Sequence, residues 1–192
     1  MKLGPVVDLA LAAHGLAQAL ELAGHAVVEF DHFVEGLGDL ALEGVAVIAD
    51  HERAAGWYRL AAAQGDARAH VKMGLMFADG VGVQKNEAAA ATHFARAAGL
   101  GDADGAFLMG LAYINGSGIA PDAKEGARFL KIAAGKGHGE AAYQLALVYD
   151  SPLLGPPDEA LAVKHMAAAA KAGYAPAYAG MGLFAHRGAA PG

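Results

Sequence analysis

The chain contains no cysteine. A disulfide scaffold, a thiolate zinc site, an iron–sulfur cluster and a cysteine nucleophile are therefore excluded. The absence leaves the compartment open: a cytoplasmic location is favoured, a periplasmic or secreted one is the alternative. Aromatics are scarce, at 7% of the 192 residues, and charged residues supply 18%, below the usual quarter. Basic charge is short as well. The net charge is −6, which argues against nucleic acid as the main partner. No uncharged apolar run reaches the ~18 residues of a membrane span. The longest early uncharged stretch, Leu9–Leu20, contains His14 and Gln18.

Lys2 ahead of that stretch and the small-x-small triplet Ala17-Gln18-Ala19 have the outline of a secretory signal. Asp8 interrupts the apolar run, so a capping helix within residues 1–32 is the preferred reading. Acidity is concentrated at this end. Residues 1–52 hold nine acids and one base, whereas residues 53–192 hold 11 acids and 13 bases.

Small residues are what the chain has in excess. Alanine (49) and glycine (27) fill 76 positions, so much of the 55% hydrophobic content is alanine. A core built this way uses close backbone approach rather than bulky filling. Apolar content this high also argues against wholesale disorder.

The residues repeat with a step of 36. Gly65, Gly101, Gly137 and Gly173 are one series; Met73, Met109, Leu145 and Met181 are another. Gly74, Gly110, Ala146 and Gly182 follow, then Leu75, Leu111, Leu147 and Leu183. Phe77, Tyr113 and Tyr149 form an aromatic column, and Asp50, Asn86, Asp122 and Asp158 a capping column. Each unit reads as two helices, the clearest pair spanning 67–79 and 87–99. Asp66 and Asn86 are natural N-caps, Gly80 a C′ residue, and Asp122 with Glu125 a capping box. A helical hairpin this small cannot bury its apolar face alone, but stacked copies can. Glycine inside a helix costs ~1 kcal/mol, so Gly74, Gly110 and Gly182 are expected where helices cross too closely for a side chain.

The unit Ala69-x-x-x-Met73-Gly74-x-Met76-Phe77-x-x-Gly80-x-Gly82-Val83-x-x-Asn86, followed by an Ala-rich helix ending Ala97-Ala98-x-x-Gly101-Asp102, resembles the Sel-one-like repeat (SLR). Trp57-Tyr58-Arg59-x-Ala61-Ala62-x-x-Gly65-Asp66 resembles its second-helix signature. This family is a branch of the tetratricopeptide-like solenoids. The resemblance implies an all-α, right-handed superhelical α-solenoid of 36-residue helix-turn-helix repeats. Repeats are expected over 33–188, in units starting near 33, 69, 105, 141 and 177, with 189–192 as a tail. The first unit is degenerate, with Asp39 in the leucine column. The fourth carries Ala146 for glycine and three prolines in the loop Ser151–Pro157. The last has only a first helix, Ala177 to about Arg187. Its Ala177, Met181 and Gly182 form a stripe without its usual cover, which invites a partner or self-association.

Catalytic motifs do not stand out. There is no Walker sequence, nucleophile elbow or His-Glu-x-x-His, and Gly80-Val81-Gly82 follows a helix rather than the strand a phosphate loop needs. His93 and His165 stand where Trp57 and Phe129 stand in other units, so they read as half-buried aromatic fillers. His32, Glu35 and Asp39 share one helix face; a solvated end of the solenoid explains them better than a cation site. No cofactor or metal is expected.

At ~100° per residue, positions 69, 73, 74, 76 and 77 face inward and 68, 71, 75 and 78 face the other way. That second side is the expected concave, partner-binding face: Arg68, Val71, Leu75, Phe107, Leu111, Tyr143 and Leu147, with Glu35 and Asp39 at the acidic end. Phe107 and Tyr143 are the expected hot spots. The resemblance implies a non-enzymatic scaffold or adaptor that binds a protein or peptide. The alternative is a hydrolase related to a cysteine-rich, β-lactam-binding branch, but this chain has neither those cysteines nor a Ser-x-x-Lys.

Overall fold

The structure, a computed structural model, describes residues 51–188. The expected capping segment, Phe33, Glu35, Asp39 and the 189–192 tail lie outside the described residues. Among the described residues eight α-helices follow one another: α1 (His51–Ala63), α2 (Ala67–Asp79), α3 (Glu87–Gly99), α4 (Ala103–Asn115), α5 (Ala123–Gly135), α6 (Gly139–Tyr149), α7 (Glu159–Lys171) and α8 (Pro176–Gly188). No strand occurs among the described residues. Each of α2–α3, α4–α5 and α6–α7 is an antiparallel pair, and successive pairs stack into a helical solenoid.

Local chemistry sets the helix ends. Asp66 accepts from the Ala69 N–H at 2.7 Å, and Asp102 from that of Gly105 at 2.7 Å. Asn86, Asp122 and Asp158 do the same for α3, α5 and α7. The capping box at Asp122 is only half formed. Its N–H is already taken by the Tyr113 carbonyl at 2.9 Å, so Glu125 turns to Arg128 instead, at 2.8 Å. Gly80 and Gly116 end α2 and α4 at φ 75° and 72°, where a side chain would be strained.

The core is a row of knobs in holes. Phe94, Leu130 and Met166 on the second helices are buried, as are Met73, Met109 and Leu145 on the first. A Cβ on Gly74 would run into the Phe94 ring, and one on Gly110 would sit 2.9 Å from Leu130 Cγ. In the next unit the hole residue is Ala146, and Met166 shares its cluster. The close crossing expected at mid-helix glycine is thus real at 74 and 110. It is not at Gly182, which has nothing within 4 Å.

Aromatic pairs tie the two helices of each unit together. Phe77 stacks on His93 at 5.5 Å, Tyr113 on Phe129 at 5.7 Å and Tyr149 on His165 at 5.5 Å. His93 and His165 are half-buried in these stacks, as aromatic fillers should be.

Candidate functional site: the face of the first helices

The first helices turn one side away from their partners. On α2 the outward residues are Arg68, Lys72, Leu75 and Asp79, all exposed. They recur at steps of three and four, as one stripe of an α-helix must. On α4 the equivalent stripe is Asp104, Leu108, Leu111 and Asn115; on α6 it is Glu140, Gln144 and Leu147. Leu75 is 38% exposed and Leu147 40%, while Leu108 and Leu111 lean on the core and are half-buried. Sequence reasoning missed Lys72, Leu108 and Gln144. They lie between the 68 and 75 columns, and centring the 100° projection on Leu75 would have found them.

Val71 and Phe107, expected on the open floor, are instead buried, each only 8% exposed. For Phe107 the cover comes from the next unit. Phe107 stacks on His138 with ring centroids 4.5 Å apart, and Tyr143 meets Tyr174 in the same register at 5.2 Å. Tyr143 keeps one side open and is half-buried. The column is therefore the seam between repeats, with Tyr143 at its edge.

His138 makes three kinds of contact on this face. Its Nδ1 accepts from the Ala141 N–H at 3.1 Å and so caps α6. A bare Nδ1 puts the ring hydrogen on Nε2, which lies 3.2 Å from the Asp104 carboxylate and donates to it. One ring thereby caps a helix, stacks on Phe107 and binds the neighbouring repeat. Tyr174 has a phenol pushed above its ordinary range by loss of solvent and then by the Glu140 carboxylate. Charge along the face changes from Arg68 and Lys72 on α2 to Asp104 and Glu140 on α4 and α6. Among the described residues no three His, Asp or Glu side chains converge as metal ligands, and no helix is long and apolar enough to cross a membrane.

At the far end, α8 is held by Arg187, which donates to both Asp150 carboxylate oxygens at 2.9 and 3.0 Å. Ala177 is fully buried rather than part of an open stripe. The exposed apolar residues of α8 are Tyr178 (62%) and Leu183 (64%).

Comparisons with known proteins agree with this architecture. The model of the Sel1 repeat matches four times, at residues 35–66, 67–102, 103–138 and 139–174. A Sel1 repeat protein from Oxalobacter formigenes superposes with a TM-score of 0.61 at 26% identity, over 71% of this chain and 59% of its own. A protective antigen present in uropathogenic Escherichia coli strains, displaying an SLR fold, superposes with a TM-score of 0.66 at 26% identity, over 76% of this chain and 31% of its own. The chain thus spans less than two thirds of the length of either relative. No curated protein matches it. With four matched repeats covering most of its length, and helix pairs that stack as those of its solved relatives do, the chain belongs to the Sel1 repeat family.

Proposed function

We propose that this protein is a non-enzymatic interaction module that holds a segment of another protein along the outward stripe of α2, α4 and α6. The observation that carries the reading is the leucine column. Leu75 and Leu147 are exposed and Leu111, in the same register, is half-buried, whereas Met73, Met109 and Leu145 two residues before them are buried. Repetition of an exposed apolar residue costs solvation unless something covers it. Tyr143 borders the column, and Arg68, Asp104 and Glu140 give it charged edges. By the 36-residue register, Asp39 continues the column of Leu75, so a basic end of the ligand is expected there.

The test is capture from native extract by wild type and by the double variant Leu75→Glu/Leu147→Glu. Both positions are exposed, so the helical signal should be unchanged while the captured protein is lost. Retained capture by a folded double variant would move the binding surface elsewhere. Nitrocefin turnover by the purified protein tests the hydrolase alternative directly; none is expected.

The α8 end supports a weaker self-association. Gly182 has open space beside it, and Tyr178 and Leu183 are exposed. Light scattering across a concentration series should show a rise in mass that Leu183→Glu removes.

A further inference from the structure

His70 on α2 and His93 on α3 meet Nδ1 to Nδ1 at 3.0 Å. Their ring centroids are 5.2 Å apart. That separation is about the N···N distance plus two ring radii, so the nitrogens point at each other head-on. Such a contact holds a single hydrogen: one nitrogen donates and the other accepts. A neutral pair satisfies it. A pair with one added proton on an outer nitrogen satisfies it too. Two charged rings cannot, because each Nδ1 then presents a hydrogen to the other and the two cations repel.

The surroundings favour the neutral pair. His70 is buried and Phe77 stacks on His93. The charged groups facing the rings are Arg96 from α3, Arg59 from α1 and Asp66 at the start of α2. Two cations thus oppose one carboxylate, and Asp66 already serves the Ala69 N–H. Burial first, then Arg96, holds His70 below the usual histidine range; burial, His70 and Arg96 do the same for His93. His70 also bonds the Ala62 backbone. The two described repeats that follow lack the pair. Their matching positions hold Ala106 with Phe129, and Ala142 with His165.

We infer that the His70–His93 contact is a proton-sensitive latch, which joins the two helices of the α2–α3 repeat at neutral pH and opens when both rings take up protons in acid. Opening would release one repeat of the array and leave its neighbours closed. Leu75 rides on α2, so the exposed leucine face would be altered at that end alone. The latch itself stands whether or not that face binds a partner.

Amide hydrogen exchange of the full chain, corrected for intrinsic rates, tests it at about pH 7.5 and about pH 5. On acidification α2 and α3 should lose at least about tenfold more protection than α4 and α5, which carry no histidine. The variant His70→Ala/His93→Phe uses the residues that the next repeat carries, and the selective loss should vanish in it. Even loss along the whole array, or selective loss retained in the variant, would overturn the latch. Should the double variant not fold, His70→Ala alone serves. Followed by imidazole NMR, the midpoint of His93 should rise once its partner is gone, and an unmoved midpoint overturns the proposal.

Discussion

Glycines 74, 110 and 182 share a helix register, yet they meet different surroundings. A Cβ on Gly110 would sit 2.9 Å from Leu130 Cγ and 3.1 Å from the Gly126 carbonyl oxygen, whereas one on Gly182 would meet open space. Gly110→Ala should therefore cost about 1–3 kcal/mol by overpacking. Gly182→Ala should instead stabilise, by up to about 1 kcal/mol of helix propensity. Urea unfolding of the two variants reads both signs. Phe107→Ala removes a buried ring from the seam between repeats and should cost about 3 kcal/mol or more, measured the same way. A binding residue on an open floor would leave stability nearly unchanged. The two outcomes separate what the sequence suggested from what the packing dictates. The face of Phe107 was legible only in part, because its cover, His138, lies 31 residues on. A single-helix projection cannot see a neighbour supplied by the next copy.

Histidine at 165 carries a pH dependence of its own. Burial, and then Lys164 and Lys131, hold its ring below the ordinary histidine range. The unfolded chain takes the proton near the ordinary value and the folded chain only at lower pH. Between those points the unfolded state binds more protons, so stability falls as pH falls from about 6.5 downward. His165→Phe, the residue that stands at 129, should flatten that part of the profile in melts run from neutral to acid.

Among the elements, the helix starts show how far capping chemistry can be read from sequence. Asp66, Asn86, Asp102 and Asp158 cap as their positions predict, since an N-cap is decided within three residues. Glu125 was not legible, because its diversion to Arg128 follows from a loop hydrogen bond to Tyr113. His138 stands in the column of Asp66 and Asp102 and does the same capping with an imidazole. Asp102→Ala should cost about 1 kcal/mol. His138→Ala should cost more, because it also loses the Phe107 stack and the Asp104 contact. Thermal melts of the pair provide the ranking, and equal losses would mean that the cap is all that His138 contributes. The turn between α6 and α7 departs from its fellows. Gly82 and Gly118 lie so close to His51 and Glu87 that no side chain fits, whereas position 154 is leucine in a short 3-10 turn, Pro152–Leu154. Here the core cluster receives Leu154, and the prolines stiffen what glycine elsewhere leaves to close packing.

For the molecule as a whole, contacts run from each helix to its neighbours along the chain. Stability in such an array is close to a sum of units and nearest-neighbour seams. The knobs Phe94, Leu130 and Met166 lie against Gly74, Gly110 and Ala146, and each seam pairs a first-helix residue with one 31 positions on, at the start of the next unit. This interchangeability has a consequence for how such genes change length. Excision of residues 87–122 would join Asn86 to Ala123, leaving an Asn cap where an Asp cap had been. Gly74 would meet Leu130, Phe77 would meet Phe129, and Val71 would meet His138, each a pairing of kinds already present in the chain. The shortened protein should therefore fold and melt in one cooperative transition at a lower temperature, as circular dichroism would record. An excision of 30 residues at the same site would break every column at once and should yield no folded product. Recombination in steps of 36 residues is then tolerated by the fold itself, and a lineage can lengthen or trim its leucine stripe without first inventing a new core.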